Sequence, residues 1–219
     1  MASYTQIVDL FGIPACGKST LVDTLDDANK NIKYIRLTKS YKKCSAYKKV
    51  GSIPFRSIYI AWKMTTLVEG KNINYYQQRF VSMVKTLICL KYAVKYSTFE
   101  RVYVDHGVMQ GIISLIGGHS IRSIGRFEGY ATQLLLSCNN IHFVYCSVDI
   151  DTAIERMRNR GEHTGRLNSI SDLNKLKEEY ILEEKRFQWL AGLTDSVQIL
   201  DTSSSIDNSV KYLKGIVNR

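Results

Sequence analysis

Residues Gly12 to Ser19 carry the most specific chemical signal in this sequence. They read Gly-Ile-Pro-Ala-Cys-Gly-Lys-Ser and match the pattern G-x-x-x-x-G-K-[ST], in which a glycine-rich turn wraps around phosphate groups. Glycine lets the backbone approach a phosphate with its N–H groups pointing inward, and a helix beginning near Lys18 adds the positive end of its dipole. We therefore predict a nucleotide-binding loop formed by Gly12, Ile13, Pro14, Ala15, Cys16, Gly17, Lys18, Ser19 and Thr20.

The polar side chains of this loop predict ATP and Mg²⁺ as ligands. The Lys18 ammonium group is expected to reach the β- and γ-phosphates, and the Ser19 hydroxyl to hold Mg²⁺. Thr20 is expected in the first helical turn, where it could also contact the α-phosphate. Cys16 has two interpretations: a thiol activated by a helix N-terminus, or a small residue that fills space.

Two acidic residues lie close to this loop in the predicted fold. A metal-bound triphosphate needs a further oxygen ligand, usually a carboxylate at the end of a neighbouring strand. Asp105, directly after the run Arg-Val-Tyr-Val, is the candidate for that ligand and for a catalytic residue. Asp9 lies inside the first predicted strand, and we interpret it as a structural partner.

Strand and helix patterns alternate along the chain. Short β-rich runs predict five strands, at residues 6–11, 33–37, 101–104, 141–147 and 197–200. Apolar residues at helical spacing predict helices in the segments 18–25, 73–94, 108–116, 121–136, 151–159, 173–190 and 206–217. Strands joined by helices require right-handed crossovers and a sheet covered on both faces. The predicted fold is α/β, a three-layer sandwich with a five-stranded parallel sheet.

Length, composition and charge narrow the class of protein further. With 219 residues, 45% of them hydrophobic, the chain fits one domain over residues 1–219. The formal net charge of +10 favours anionic partners such as nucleotides, phosphorylated substrates or nucleic acid. A basic run at 39–49 is either a phosphate-binding patch or a solvated face.

Cysteine usage and hydropathy predict the compartment. The five cysteines form no Cys-x-x-Cys pair, which indicates free thiols in a reducing compartment and argues against zinc. Charged residues or glycines interrupt the most apolar segments, and the first residues lack a basic, apolar leader pattern. We therefore expect a cytoplasmic protein with no membrane partner.

With these motifs identified, the sequence resembles the P-loop nucleoside and nucleotide kinases, and thymidylate kinases most of all. The resemblance spans nearly the whole chain and implies the P-loop fold of the nucleotide-kinase type. Five segments carry it: the loop itself, Gln-Gln-Arg-Phe at 77–80, Val-Asp-His-Gly at 104–107, the segment 148–161, and Gln-Ile-Leu-Asp-Thr-Ser at 198–203.

The resemblance also implies roles for five arginines. In such kinases the segment matching 148–161 is a strand, a helix and an arginine-rich lid that closes on the phosphates, here at about 158–168. Arg156, Arg160 and Arg166 thereby become candidates for stabilising charge during transfer. Arg79 matches the helix arginine aimed at the phosphate of the acceptor, and Arg36 lies near the arginine that follows the second strand. Related kinases often pair, so a homodimer is a further expectation.

Two departures from the thymidylate kinase pattern concern the acceptor. His106 stands where those kinases carry arginine, and Pro14 stands where they carry an acidic residue. A hydroxyl acceptor also needs a general base, which nucleoside kinases usually place just after the second strand. Here Thr38-Lys39-Ser40 follows, with no acid.

Three functions are consistent with this sequence. The favoured one is an ATP- and Mg²⁺-dependent kinase whose small acceptor is a nucleoside monophosphate. The second is a kinase of the same architecture acting on a sugar or other hydroxyl, with Asp105 as base and His106 in the acceptor pocket. The third and least favoured is an ATP-binding switch acting on nucleic acid or protein, which only the basic charge supports.

Overall fold

A computed structural model describes residues 6–28, 32–36, 54–69, 73–96, 101–138, 140–159, 167, 170–203 and 205–216. The strands are β1 (Gln6–Phe11), β2 (Ile32–Arg36), β3 (Arg101–Asp105), β4 (Ile141–Ser147) and β5 (Val197–Asp201). The helices are α1 (Lys18–Ala28), α2 (Phe55–Leu67), α3 (Ile73–Tyr96), α4 (Val108–Ile116), α5 (Ile124–Leu136), α6 (Ile150–Asn159), α7 (Leu173–Ala191) and α8 (Ile206–Ile216).

The strands form a single five-stranded sheet in the order β2-β3-β1-β4-β5, and every neighbouring pair is parallel. The predicted α/β class and parallel sheet are confirmed. Consecutive residues of a strand point to opposite faces of the sheet. Ile7 and Val8 are both fully buried in the central strand, so the sheet is covered on both faces.

Parallel order places the carboxyl ends of β3, β1 and β4 at one edge of the sheet. The phosphate loop leaves this edge from β1, the strand at the centre. Leu10 pairs with Asp105 on one side, and Phe11 pairs with Tyr145 on the other. Ligands of open parallel sheets bind at this edge, so the topology positions the predicted loop and Asp105 on the same side of the molecule.

Helix α2 is the main element that the sequence patterns did not predict. Its buried residues include the polar side chains Ser57 and Thr65, whereas Phe55 is 82% exposed and Trp62 is 48% exposed. Apolar periodicity indicates a helix only when the apolar residues lie on the inner face. In α2 aromatic residues lie on the outer face, which blurs that pattern.

Other boundaries shift by a few residues. The helix expected at 121–136 begins at Ile124, because Ile121 instead forms an antiparallel bridge with Val68. The predicted break after residue 116 is confirmed, since Gly117 ends α4 with a left-handed φ of 56°. Across the described residues, no helix combines the length and the hydropathy needed to cross a bilayer.

Candidate phosphate-binding site

The loop between β1 and α1 has the backbone geometry of a tight, strained turn. Gly12 has a φ of 148°, and a Cβ there would lie 2.5 Å from the carbonyl oxygen of Cys146. Gly17 has a φ of 93°, which disfavours any residue with a side chain. Ala15 is left-handed at 61° without being glycine. In a residue other than glycine, such a conformation costs on the order of 1–3 kcal/mol and is concentrated at ligand sites.

The Lys18 side chain folds back onto this loop. Its Nζ donates to the carbonyl oxygens of Gly12 and Ile13 and to Sγ of Cys16, each at 3.0 Å. Lys18 is also the first residue of α1, so the ammonium group and the positive end of the helix dipole lie together. The structure thus brings an ammonium group and the positive end of a helix dipole to the loop, and their role toward a phosphate ligand stays a prediction.

Thr202, just after β5, links the loop to the strands beside it. Its hydroxyl lies 2.6 Å from the carbonyl oxygen of Cys16, to which it donates. Its backbone N–H donates to the carbonyl oxygen of Ser147 at 2.8 Å. Neither the motif nor the resemblance assigns Thr202 a role. The segment 198–203, which contributes to the resemblance, includes Thr202, but its bond to Cys16 has no local signal because 186 positions separate the two residues.

Arg156 of α6 lies beside the same loop. Its Nη2 donates to the carbonyl oxygen of Thr202 at 3.0 Å, and its Nη1 lies 3.7 Å from where a Cβ of Gly17 would be. A cavity of about 370 Å³ opens here, lined by residues that include Thr20, Asn159 and Ile206. The structure therefore brings Arg156 together with the loop.

Asp105, His106 and Arg36 cluster at the end of β3. Asp105 is 3% exposed, and its Cα pairs with those of Leu10 in β1 and Arg36 in β2. His106 follows with an exposed side chain and a left-handed φ of 60°. For Arg36 the structure describes the backbone alone. The strand register thus places all three residues at the edge where the phosphate loop begins.

Asp9 contacts the helix that follows this cluster. It is fully buried, and its Oδ2 accepts a hydrogen bond from the backbone N–H of Met109 at 3.2 Å. Burial raises the pKa of Asp9 to about 7, although the first N–H groups of α4 oppose the shift. A Cβ at Gly107 would lie 2.2 Å from Asp9 Oδ1, so glycine is required there. Asp9 thereby anchors the turn that carries Asp105.

Arg79 lies at the other end of α4. Its guanidinium donates to the carbonyl oxygen of Ser114 and lies 5.1 Å from the ring centre of Tyr75. Ser114 is six residues beyond the start of α4, roughly 9 Å along the helix axis at ~1.5 Å per residue. The structure does not bring Arg79 together with the loop, and its role toward an acceptor phosphate stays a prediction.

Most of the predicted lid at 158–168, including Arg160 and Arg166, lies outside the described residues. So does the basic run at 39–49. For these residues the sequence interpretation stands untested.

The residues at this edge suit Mg²⁺ carried by a phosphate ligand. Within the described ranges, no group of three or more His, Cys, Asp or Glu residues could hold a metal. Mg²⁺ usually keeps several waters and binds through one or two carboxylates together with substrate phosphates. Ser19 and Asp105 offer a hydroxyl and a carboxylate of that kind, so the residues present fit this ion.

Solved structures with the same fold span the chain almost completely. Deoxyadenosine kinase from M. mycoides with bound dATP matches with a TM-score of 0.58 at 13% identity, covering 98% of this chain and all of its own. The same enzyme with dCTP matches at 0.52 and 11%, covering 97% of this chain and 98% of its own. With the products dCMP and a flexible dCDP it matches at 0.53 and 14%, with the same two coverages.

No protein-family model and no curated protein sequence matches the chain. At these identities the structural likeness establishes the fold, an α/β fold with a parallel sheet that matches the P-loop fold of nucleoside kinases. The likeness to nucleoside kinases is thus found at the level of the fold. The nearer resemblance to thymidylate kinases stays a prediction.

Proposed function

We propose that this protein is a kinase that transfers the γ-phosphate of ATP, with Mg²⁺, to a nucleoside. The observation that carries the proposal is the strained loop at the carboxyl end of β1 with the Lys18 ammonium held against it. The fold gives further support, because the three matching structures described above are of a deoxyadenosine kinase.

The donor nucleotide would occupy the loop and the cavity next to it. The loop amides and Lys18 are suited to the phosphates, and the cavity of about 370 Å³ is suited to the base and ribose. Arg156 lies between these two parts, next to Gly17. ATP is therefore proposed to lie with its triphosphate over α1 and its base near Asn159 and Ile206.

Transfer requires alignment and charge neutralisation more than covalent chemistry by the protein. Lys18 would neutralise the transferred phosphoryl group, and Arg156 would add a second positive charge on the side of α6. Asp105 would accept the proton of the attacking hydroxyl or serve as a carboxylate ligand of Mg²⁺. Mg²⁺, when bound, supplies further neutralisation of the phosphate oxygens.

The position of Arg79 favours a hydroxyl acceptor. The expectation of a monophosphate acceptor rested on Arg79, on Arg36 and on the lack of an acidic residue after the second strand. The Arg79 guanidinium is bound to the C-terminal end of α4. The second candidate is a nucleoside monophosphate kinase similar to thymidylate kinases. The observation that favours it is the pairing of Arg36 with Asp105 at the end of the sheet.

A transfer screen with radiolabelled ATP tests the proposal. The purified chain with ATP and Mg²⁺ is incubated with deoxynucleosides, nucleosides, nucleoside monophosphates and sugars, and labelled products are separated. We expect label on a nucleoside. Label on monophosphates alone would establish the second candidate, and hydrolysis that no acceptor stimulates would reject both kinase proposals.

Replacing Asp105 by Asn tests the role of that carboxylate. We expect a loss of kcat of roughly 10²–10⁴-fold, the usual contribution of a general base, with a much smaller effect on ATP binding. Equal losses in kcat and in ATP affinity would instead assign Asp105 to the metal. Asp172→Asn is the matched control, because Asp172 caps the exposed start of α7.

A further inference from the structure

A groove between helices α2 and α3 takes no part in the site described above. It encloses about 530 Å³, and its walls come from both helices and from the segment before α5: Trp62, Thr65, Thr66, Tyr76, Gln77, Phe80 and Arg122. Small-molecule sites usually enclose about 300–1,000 Å³. The groove is therefore large enough for a ligand of the size of a nucleotide.

The groove lies at the end of α4 that is farther from Asp105. Tyr75 directly precedes the groove residues of α3, and a Cβ at Gly117 would be 2.6 Å from its Oη. Gly117 is nine residues beyond the start of α4, roughly 13 Å along the helix axis at ~1.5 Å per residue. Arg122 follows Gly117 along the chain by a further five residues. The groove is thus well removed from the edge of the sheet where the phosphate loop and Asp105 lie.

Three aromatic side chains, Trp62, Tyr76 and Phe80, contribute most of the apolar wall. Trp62 is 48% exposed, although burying so large an aromatic side chain is favourable. The Nζ of Lys63 lies 5.1 Å from the centre of its indole ring and adds a positive charge beside the groove. Exposed aromatic rings next to cations are the surroundings in which planar heteroaromatic rings stack.

Two polar side chains of the groove are available to a ligand. Those of Gln77 and Arg122 are exposed, and neither forms a hydrogen bond or an ion pair with another residue in the part of the chain that the structure describes. The hydroxyls of Thr65 and Thr66, in contrast, donate to carbonyl oxygens of α2 itself. A carboxamide can donate to and accept from the edge of a ring at the same time, and a guanidinium binds a phosphate through two N–H groups. The groove therefore offers a partner to each part of a nucleotide.

We propose that this groove is a second ligand site and binds a nucleoside monophosphate. The base stacks against Trp62, the Gln77 carboxamide pairs with the edge of the base, and Arg122 binds the phosphate. One guanidinium matches one phosphate, whereas a triphosphate is better served by the amides and cations of the loop. Binding in the groove does not rest on the proposed function. That the ligand is also the product of the reaction does rest on it.

Tryptophan fluorescence of the full chain tests the site, because the sequence holds two tryptophans and Trp62 is one of them. The protein is titrated with AMP, dAMP, dCMP and thymidine monophosphate, and with the matching nucleosides. We expect at least one monophosphate to quench the emission saturably. The quenching should be absent in Trp62→Phe, in which Trp189 remains, whereas calorimetry should still detect binding to this variant because the phenyl ring can stack. The absence of quenching with all four monophosphates would overturn the proposal.

Replacing Arg122 by Gln tests the phosphate contact. We expect the affinity for the bound monophosphate to fall by roughly 10- to 100-fold, the effect of losing one charge-assisted contact, and to approach that of the nucleoside. Arg126→Gln is the matched control, because Arg126 is also exposed but does not line the groove. Equal affinities in these two variants would contradict the assignment of Arg122.

Steady-state kinetics separate the groove from the acceptor site. Arg122→Gln should leave kcat and the KM for the acceptor close to the wild-type values. A rise in this KM equal to the loss of monophosphate affinity would make the groove the acceptor site and reject a second site. If no acceptor is phosphorylated while Trp62 is still quenched, the proposed function fails and the groove site stands. Transfer without quenching would leave the function in place and reject the groove site.

Discussion

In the proposed function, Lys18 is the residue on which phosphate binding would depend most directly. Its ammonium contacts two loop carbonyl oxygens and one sulfur, so it serves the loop and not the apolar core. We expect Lys18→Ala to lower kcat/KM by roughly 10²–10³-fold, the cost of one group that stabilises transition-state charge. Activity assays and thermal melts of this variant and of Lys185→Ala, exposed on α7, make the comparison.

The melting temperature of Lys18→Ala should stay close to that of the wild type, since no apolar packing is lost. Undiminished turnover would contradict the assignment of the loop as the ATP site. A large drop in melting temperature would mean that Lys18 holds the loop together, and activity would then have to be compared at a temperature where both proteins are folded.

Asp9 makes the stability of the fold depend on pH. Its folded pKa of about 7 exceeds the ordinary 3.8, because burial disfavours the charge and Asp105 adds repulsion. At pH values between 3.8 and about 7, the folded state therefore holds a proton that the unfolded state has lost. The stabilisation is complete below about pH 4 and is lost as the pH rises to about 7.

Asp9→Asn should remove this dependence. The free energy of unfolding of the wild type is expected to fall by on the order of 4 kcal/mol between pH 4 and pH 8 relative to that of the variant. An amide oxygen can still accept from Met109 N–H, so the start of α4 should stay anchored. Urea denaturation at several pH values measures both proteins. If the free energies of unfolding of the two proteins change with pH in parallel, the pH dependence does not come from Asp9.

At the scale of elements, Thr202 joins three of them through short hydrogen bonds. The loop, the end of β4 and α6 all bond to this one residue. Thr202→Val keeps the shape but removes the hydroxyl, leaving the buried carbonyl oxygen of Cys16 without its donor. We expect the free energy of unfolding to fall by roughly 1–3 kcal/mol.

The KM for ATP should rise in Thr202→Val, because the loop would lose the bond that fixes Cys16 in place. Thr132→Val, on α5 and away from the loop, controls for the loss of a hydroxyl. Denaturation and steady-state kinetics are the measurements. A stability loss without any change in KM would make Thr202 a purely structural link.

Arg79 and Tyr75 hold the C-terminal end of α4 from the neighbouring helix α3. The last carbonyl groups of a helix lack partners within the helix, and both side chains donate to such groups. Arg79→Met should therefore lower the free energy of unfolding by roughly 1–3 kcal/mol. Gln78→Met, exposed on the same helix, is the control.

The same variant tests the role that the resemblance implies. If Arg79 acts only on α4, the KM for the acceptor stays close to the wild-type value. If it binds an acceptor phosphate, that KM rises steeply for monophosphates and not for nucleosides. Kinetics with both kinds of acceptor separate these outcomes.

Sequence patterns predicted the strands and the loop because both are encoded locally. A strand buried on both faces is a short apolar run, and the loop motif lies within nine residues, Gly12 to Thr20. The bond between Asp9 and Met109 spans 100 positions, and no periodicity marks its two ends. Helix α2 was missed for a different reason: exposed aromatic residues such as Phe55 and Trp62 obscure its apolar periodicity.

For the whole molecule, the charge of +10 determines how anionic ligands approach. Exposed charges act over about 8–10 Å at physiological ionic strength and are screened at higher salt. Contacts within the half-buried loop are screened much less. On the proposed function, the protein would therefore have two electrostatic contributions, a diffuse one that attracts any anion and a local one at the loop that selects a triphosphate.

Ionic strength can separate an enzyme for small acceptors from a switch acting on nucleic acid. For the proposed kinase, raising the salt concentration from about 0.05 to 0.5 M should weaken ATP binding only a few-fold, because direct contacts in the loop dominate. A protein that neutralises several phosphates of an oligonucleotide instead loses affinity as a steep power of salt concentration. Titrations with ATP and with a single-stranded oligonucleotide at each salt concentration give the two slopes. Tight oligonucleotide binding whose affinity falls steeply with salt concentration would show that the protein neutralises several phosphates of a polyanion. Together with ATP hydrolysis that no acceptor stimulates, this result would favour the switch.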